Sequence, residues 1–377
     1  MRPILPVLWG SLLLATLIPA QSPSPLLPPA ASQTSAPPLP ELHAHATVVL
    51  VPTLVRSSDG KPVYTLSASD FTLTDDNQPQ ILHLDEESSA QPLALVLVLQ
   101  TGGLGAQHID DLDRVSSMLD SVVGNVPHRV ALISFDSTPH LLLGFTPKTS
   151  SISNAIEALP TGDEGAALLD ALSLAVNELR KEPPAWRRVI LMVSETLDHG
   201  SHIRQDDALR SITETNTAIY SFAFSSTRAR AAKESGEIVH NDKPGPANGC
   251  MGHDPGTEPT HGKKRAEQAW DCLNLLAPPL RLAQMALIAG VNALQQNTAE
   301  TAAQVSGGEY FRFKNAATLT SDLVTLSNHL PNRYLLSFQP QNPHAGLHHL
   351  EVKLQDYPHL TVLARTSYWA DPSETQK

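Results

Sequence analysis

Four side chains in one stretch have the types of a thiol or soft-metal site: Cys250, His253, His261 and Cys272. Two chemistries suit them. Cys250 and Cys272 are the chain's two cysteines, and in an oxidising compartment they would close a disulfide. Such a bridge removes roughly 3 kcal/mol of entropy from the unfolded chain. Alternatively all four hold Zn²⁺. The ligand types allow it, but beyond Cys250-x-x-His253 the spacing is irregular. A second crowd, Ser194, Asp198, His199, Ser201 and His202, has the residue types of a hydrolase. Catalysis needs a base facing a nucleophile, with a third group orienting the base. Neighbours along one polar loop do not meet that need, and the chain contains no His-Glu-x-x-His and no Gly-x-Ser-x-Gly. Gly102, Gly103 and Gly105 could turn bare amides toward an anion. They lack the Gly-x-Gly-x-x-Gly spacing and a following P-loop lysine, so they read as a tight turn. Trp186, Trp270 and Trp369 read as packing residues.

These loops need a scaffold, and the scaffold is organised on Pro92-Leu-Ala-Leu-Val-Leu-Val-Leu-Gln100. An uncharged run that short suits a strand buried on both faces of a parallel sheet. Its C-terminal edge is the usual place for a ligand in an open α/β fold. Ile109, Leu112, Val115, Leu119 and Val122 then predict a helix, and residues 129–135 a strand. Residues 140–145 suit an edge strand, and Ile152, Ile156 and Leu159 a brief helix. Helix 166–179, strand 188–193, helix 208–213 and strand 217–224 follow. A helix over 280–305, a short strand at 310–313 and a helix over 319–330 complete the alternation of a doubly wound, mostly parallel sheet.

Both flanks have a different rhythm. Strands are expected at 45–56, where Pro52 signals an edge or a bulge, and around Phe71–Leu73 and Ile81–Leu84. Three more are expected at 333–338, 349–354 and 360–369. Neither flank can close a core alone. Together they predict a small antiparallel β-sandwich, formed by both ends of the chain, into which the α/β domain is inserted. The expected division is 41–90 for the first part of the sandwich, 91–331 for the α/β domain with a polar insertion at 226–279, 332–370 for the second part, and 371–377 as a tail. Residues 1–20 read as a signal peptide, with Arg2, an apolar stretch and Ala20 before the cut. Residues 21–40, rich in proline, read as a disordered spacer.

In order and spacing, four stretches carry a family likeness: Leu66-x-x-x-Asp70-Phe71, Leu168-Leu-Asp170-Ala-Leu172, Ser306-Gly-Gly-Glu-Tyr-Phe311 and Arg333-Tyr-Leu-Leu-Ser-Phe-Gln-Pro340. Residues 92–330 resemble a von Willebrand factor type A domain. The whole of 45–370 resembles the exported proteins of that family common in acidobacteria. The resemblance implies a metal-ion-dependent adhesion site on the sheet edge, where Asp-x-Ser-x-Ser, a threonine and an aspartate hold Mg²⁺ through oxygen. This chain departs at each place. Gln100 stands for the first aspartate, Gly102 and Leu104 for the serines, Ala166 for the threonine, and Glu195 for the last aspartate. Leu104 is expected to put an apolar group beside the ion position. Mg²⁺ demands well-placed hard ligands, so no metal is expected there. Asp136, Asp163 and Asp198 are weighed as a different cation site nearby and read as solvated loop acids.

The formal net charge of −12 and the lack of clustered basic residues exclude a nucleic-acid surface. No segment is apolar enough over about 20 residues to span a membrane. The expected function is a non-enzymatic, extracytoplasmic protein-interaction domain without cofactor. The alternatives are a structural component of the envelope, a divalent-metal-dependent adhesion module, or a hydrolase. Oligomeric state does not follow from the sequence. In a peptide map made without reductant, Cys250 and Cys272 are expected in one cross-linked peptide whether or not a chelator is added. Two thiols released by the chelator would mean zinc instead.

Overall fold

The computed structural model describes residues 48–85, 91–224, 278–341 and 343–371. The expected leader and spacer, nearly all of the 226–279 insertion, and Cys250, Cys272 and Trp270 lie outside the described residues. The chain enters the fold through β1 (Val49–Arg56), β2 (Phe71–Asp75), β3 (Gln78–Gln80) and β4 (Leu82–Asp85). β2 buries alternate residues, Phe71, Leu73 and Asp75, as a strand with one covered face must. The turn into β3 is Asp76-Asn77, with φ of 47° and 66°. Two left-handed residues give the twist that a two-residue hairpin loop needs, and Asp and Asn tolerate that conformation best after glycine.

The α/β domain then runs β5 (Leu93–Gln100), a 3-10 turn (Gly103–Leu112), α1 (Asp113–Val123), β6 (His128–Phe135), β7 (Pro139–Thr146), α2 (Thr149–Glu157), α3 (Leu168–Arg180), β8 (Arg187–Glu195), α4 (Gln205–Glu214) and β9 (Thr217–Phe224). It continues through α5 (Pro278–Gln296), α6 (Thr298–Ser306), β10 (Tyr310–Phe313) and α7 (Ala316–His329). The sheet order is β10-β9-β8-β5-β6-β7. All pairs are parallel except that with β7, which lies antiparallel on the edge. β5 is buried at every position. Leu93, Leu95, Leu97 and Leu99 meet α1, α2 and α7, while Ala94, Val96 and Val98 meet the α3, α4 and α6 side. Each large side chain taken from water there contributes about 1.5–3 kcal/mol. The chain leaves β5 toward β6 on one side, yet β8 lies on the other. The helices following β5 and β8 cover opposite faces, so the carboxyl ends of these two strands form the topological switch point.

The return is β11 (Tyr334–Phe338), β12 (Gly346–Leu354), β13 (Thr361–Ala364) and β14 (Ser367–Ala370). With β1–β4 they form two antiparallel sheets, β13-β1-β11-β4 and β14-β12-β2-β3, around a core of Val51, Phe71, Leu73, Leu336 and Phe338. The fold class is thus an α/β sheet inserted into a small β-sandwich.

Four local expectations change. The single strand expected at 360–369 is two strands in different sheets. Arg365 sits at the crossing, 3% exposed. Its guanidinium donates to the carbonyls of Ser367, Leu50 and Thr213 and to Asn216 Oδ1. Pro52 lies in an interior strand, not at an edge. It is tolerated because β13 pairs with β1 only from Thr53 onward, where Pro52 has no N–H to offer. The helix expected over 280–305 breaks at Asn297, whose side chain accepts from Glu300 N and caps α6. The helix after β5 begins as the 3-10 turn, since the chain must first clear the glycine-rich bend.

Glu309 ties the two parts together. It is 5% exposed, and its carboxylate meets His329 Nδ1 at 2.8 Å and Arg333 Nη2 at 2.9 Å. Burial by itself would raise this carboxyl; the His329 hydrogen bond and the Arg333 charge outweigh that and hold it below its ordinary 4.5. A lowered folded-state value gives stability that is full above pH ~4.5 and is lost as pH falls through the folded value. Urea melts of Glu309→Gln are expected to show a loss of about 3 kcal/mol at neutral pH and a shallower decline in acid than the parent. An unchanged acid limb would refute this.

Candidate functional site

The switch point is built from four loops. After β5 the chain bends sharply: Thr101 N and Gly102 N donate to Phe135 O, at 2.8 and 3.3 Å, and Gly103 N to Asp163 O at 2.7 Å. Gly105 N bonds Gly102 O at 2.9 Å. These amides are spent on carbonyls, so the glycines form a turn and not an anion cradle. An added Cβ at Gly102 would lie 2.4 Å from Gly165 O and 2.5 Å from Asp136 Cβ. A serine ligand therefore has no room there unless those loops move apart.

Gln100 and Glu195, the last residues of β5 and β8, meet across the switch point, 1% and 2% exposed. Gln100 Nε2 donates to Glu195 Oε1 at 3.0 Å and to Gly102 O at 3.0 Å; Gln100 Oε1 accepts from Glu195 N at 2.7 Å. The carboxamide thus uses both donors and its acceptor. Its N–H takes up the charge-compensating place beside the carboxylate that a cation would take. His199 Nε2 lies 3.4 Å from Glu195 Oε2. Leu104 is half-buried and packs against the core on the α1 face. Ala166 is buried, and its backbone exchanges hydrogen bonds with His199 at 3.1 and 2.8 Å.

The acids read as a possible second cation site hold loops instead. Asp163 accepts from Ser137 N at 2.9 Å, from Gly165 N at 2.8 Å and from Ser137 Oγ. The Ser137 hydroxyl leads the causes that lower its carboxyl. Asp136 accepts from Thr138 N at 3.0 Å and Asp163 N at 3.3 Å. Asp198 caps α3 from outside by accepting from Leu169 N at 3.0 Å. Asp170 answers from within α3, accepting from His202 N and Ile203 N at 2.9 Å each. Ser194 Oγ donates to Glu195 O, and Ser201 Oγ to Asp198. Neither hydroxyl is directed at an imidazole, so the residue types of a hydrolase do not assemble as one.

Elsewhere, Asp76, His344 and His348 bring one ligand atom each to within 4.8 Å of one another. Sequence reasoning did not single them out. The signal available was weak: paired acids at a hairpin turn and a histidine-rich start to a late strand.

Residues 95–197 match the family model described as the von Willebrand factor type A domain. No curated protein matches the chain. Among solved structures, the chain is similar to the vWF domain of the type V pili tip protein Mfa5 from Porphyromonas gingivalis. Identity is 23%, over 29% of this chain and 39% of that one, with a TM-score of 0.26. It is also similar to an aerotolerance-related membrane protein from Bacteroides fragilis, at 13% identity over 63% and 98% of the two chains and a TM-score of 0.36. Proximal thread matrix protein 1 from the mussel byssus matches at 10% identity over 76% and 51%, with a TM-score of 0.37. The chain therefore spans well under two thirds of the Mfa5 structure.

Gln100→Leu is expected to cost about 3 kcal/mol, because it leaves a buried carboxylate and N–H without their partner. Denaturant melts of Gln100→Leu, Glu195→Leu and the double variant should show the double losing about 1–3 kcal/mol less than the sum. Additive losses would mean that the two side chains do not act together.

Proposed function

From the match of residues 95–197 to the von Willebrand factor type A domain and the geometry of the sheet edge, we propose that the chain is a non-enzymatic, extracytoplasmic interaction protein. Its partner is a protein, met by the loops at the carboxyl edge of the parallel sheet without a bridging metal ion. The Gln100–Glu195 clasp carries this reading. A bridging Mg²⁺ needs several oxygen ligands and an open position for the partner's carboxylate. At this edge an amide nitrogen faces the acid, Gly102 and Ala166 bring no ligand atom, and the neighbouring acids are committed to backbone N–H groups.

What remains for a partner is the polar rim, where Thr138, Glu164, His202 and Arg204 are exposed. Contacts there would be direct hydrogen bonds and ion pairs, typical of an interface rim. The leader-like first twenty residues support the extracytoplasmic placement. Among the described residues, no helix is long and apolar enough to cross a membrane.

Two measurements test the proposal. Calorimetry of the Cys250→Ser/Cys272→Ser chain with Mg²⁺ and Mn²⁺ is expected to show no binding that Glu195→Gln abolishes; micromolar affinity at this edge would overturn the metal-independent reading. A photo-crosslinking residue placed at Thr138 or His202 is expected to give protein adducts in the native host, and chelator should not diminish them. Adducts formed only from Tyr64, on the β domain, would favour a structural role instead.

A further inference from the structure

We propose that the β-sandwich carries a transition-metal site for an ion of the Zn²⁺ class, with Asp76 Oδ2, His344 Nε2 and His348 Nδ1 as its three protein ligands and the fourth position open to water. The residues come from distant parts of the chain. Asp75 ends β2 and Asp76 opens the left-handed turn. His344 precedes β12, and His348 lies within it, opposite Tyr368 of β14. The β2–β12 pairing brings these segments together. The turn is pinned to β12 by Asp76 N donating to His349 O at 2.9 Å and His349 N donating to Asp76 Oδ1 at 3.0 Å.

The distances converge. His344 Nε2 is 2.9 Å from Asp76 Oδ2. His348 Nδ1 is 2.9 Å from Asp76 Oδ2 and 3.0 Å from Asp75 Oδ1. In a tetrahedral zinc site, bonds of about 2.0–2.2 Å put ligand atoms roughly 3.3 Å apart. These separations need to open by only a few tenths of an ångström, and the half-buried His344 ring, stacked on His348 with the planes 14° apart, must tilt for both imidazoles to face one ion.

The outer atom of each ligand is already held. His348 Nε2 lies 2.8 Å from the His344 carbonyl, so it donates, and Nδ1 faces the two carboxylates. Two acceptors facing one ring nitrogen require a positive centre there: a proton on Nδ1 supplies it in the metal-free chain, and Zn²⁺ would displace that proton. Asp75 Oδ2 accepts from Tyr368 OH at 2.7 Å, and Asp76 Oδ1 from His349 N. The His348 ring is stacked between His344 at 3.8 Å and Tyr368 at 4.6 Å. Outer partners of this kind fix the tautomer and orientation of metal ligands. Two imidazoles with a carboxylate select zinc and its neighbours over Mg²⁺ or Ca²⁺. The His348 side chain is 3% exposed, while His344 and Asp76 are 13% and 15% exposed, which gives a dry seat with an entry from the turn side.

The test uses the full chain with Cys250→Ser and Cys272→Ser, so that zinc held by the cysteine pair cannot be mistaken for this site. After chelator treatment and dialysis, titration with Zn²⁺ is expected to give one ion per chain at micromolar affinity or tighter, with a rise in melting temperature. His344→Ala and Asp76→Asn, both on the more exposed side, should each weaken binding by at least about tenfold while keeping the parent's near-ultraviolet circular dichroism. Co²⁺ bound in place of zinc should give the visible absorption of a tetrahedral site, and His344→Ala should abolish it. Absence of Zn²⁺ binding, or binding that His344→Ala leaves unchanged, would overturn the proposal and leave the cluster as a protonated ion-pair network.

Discussion

Burial of both faces of Leu93–Gln100 constrains everything around it. A strand with water on neither side has to surrender its backbone groups to β6 and β8 along its whole length. It also has to be covered by helices on each face. Those helices begin where the strands end, so the loops at the carboxyl edge are forced together. The edge is then crowded with turn backbone and polar side chains that water cannot fully satisfy. Each must find a partner inside the protein, and the network of Gln100, Glu195, Asp163, Asp170 and Asp198 is how this chain meets that demand.

The same place could be satisfied by an ion. A hard cation would neutralise Glu195 and draw oxygen ligands inward; the carboxamide of Gln100 carries no charge and offers the acid a hydrogen bond instead, with no ion to desolvate. It donates one N–H to the carboxylate and accepts one from the backbone. The surrounding loops close over it until Gly102 has no space for a side chain. The Gln100–Glu195 pairing and the tight approach of Gly165 to Gly102 are therefore two sides of one packing arrangement.

Much of this was legible in the residues. An unbroken apolar run identified β5, and the three- and four-residue spacing of Val115, Leu119 and Val122 identified α1. Other features were hidden for physical reasons. Apolar spacing continues on both sides of Asn297, so periodicity cannot see a cap that ends one helix and starts another. Arg365 reads as an outward-facing strand residue because its acceptors, Leu50, Thr213 and Asn216, are remote in sequence. Asp76 and His348 meet only through the register of β2 with β12, which composition does not encode.

The pairing of the chain's two flanks governs the order in which the molecule can be made. Leu66 N donates to the hydroxyl of Tyr334, 268 positions later, and β1 finds its neighbours only in β11 and β13. While the chain emerges, the α/β domain can collapse as soon as its own strands are out. β1 stays unpaired until β11 and β13 appear. For that interval β1 presents two open ladders, the kind of edge that invites wrong pairing. Closure of the sandwich is thus a slow, long-range step, and β11–β14 decide whether β1 and the outer edge of β2 are sheltered or left to aggregate.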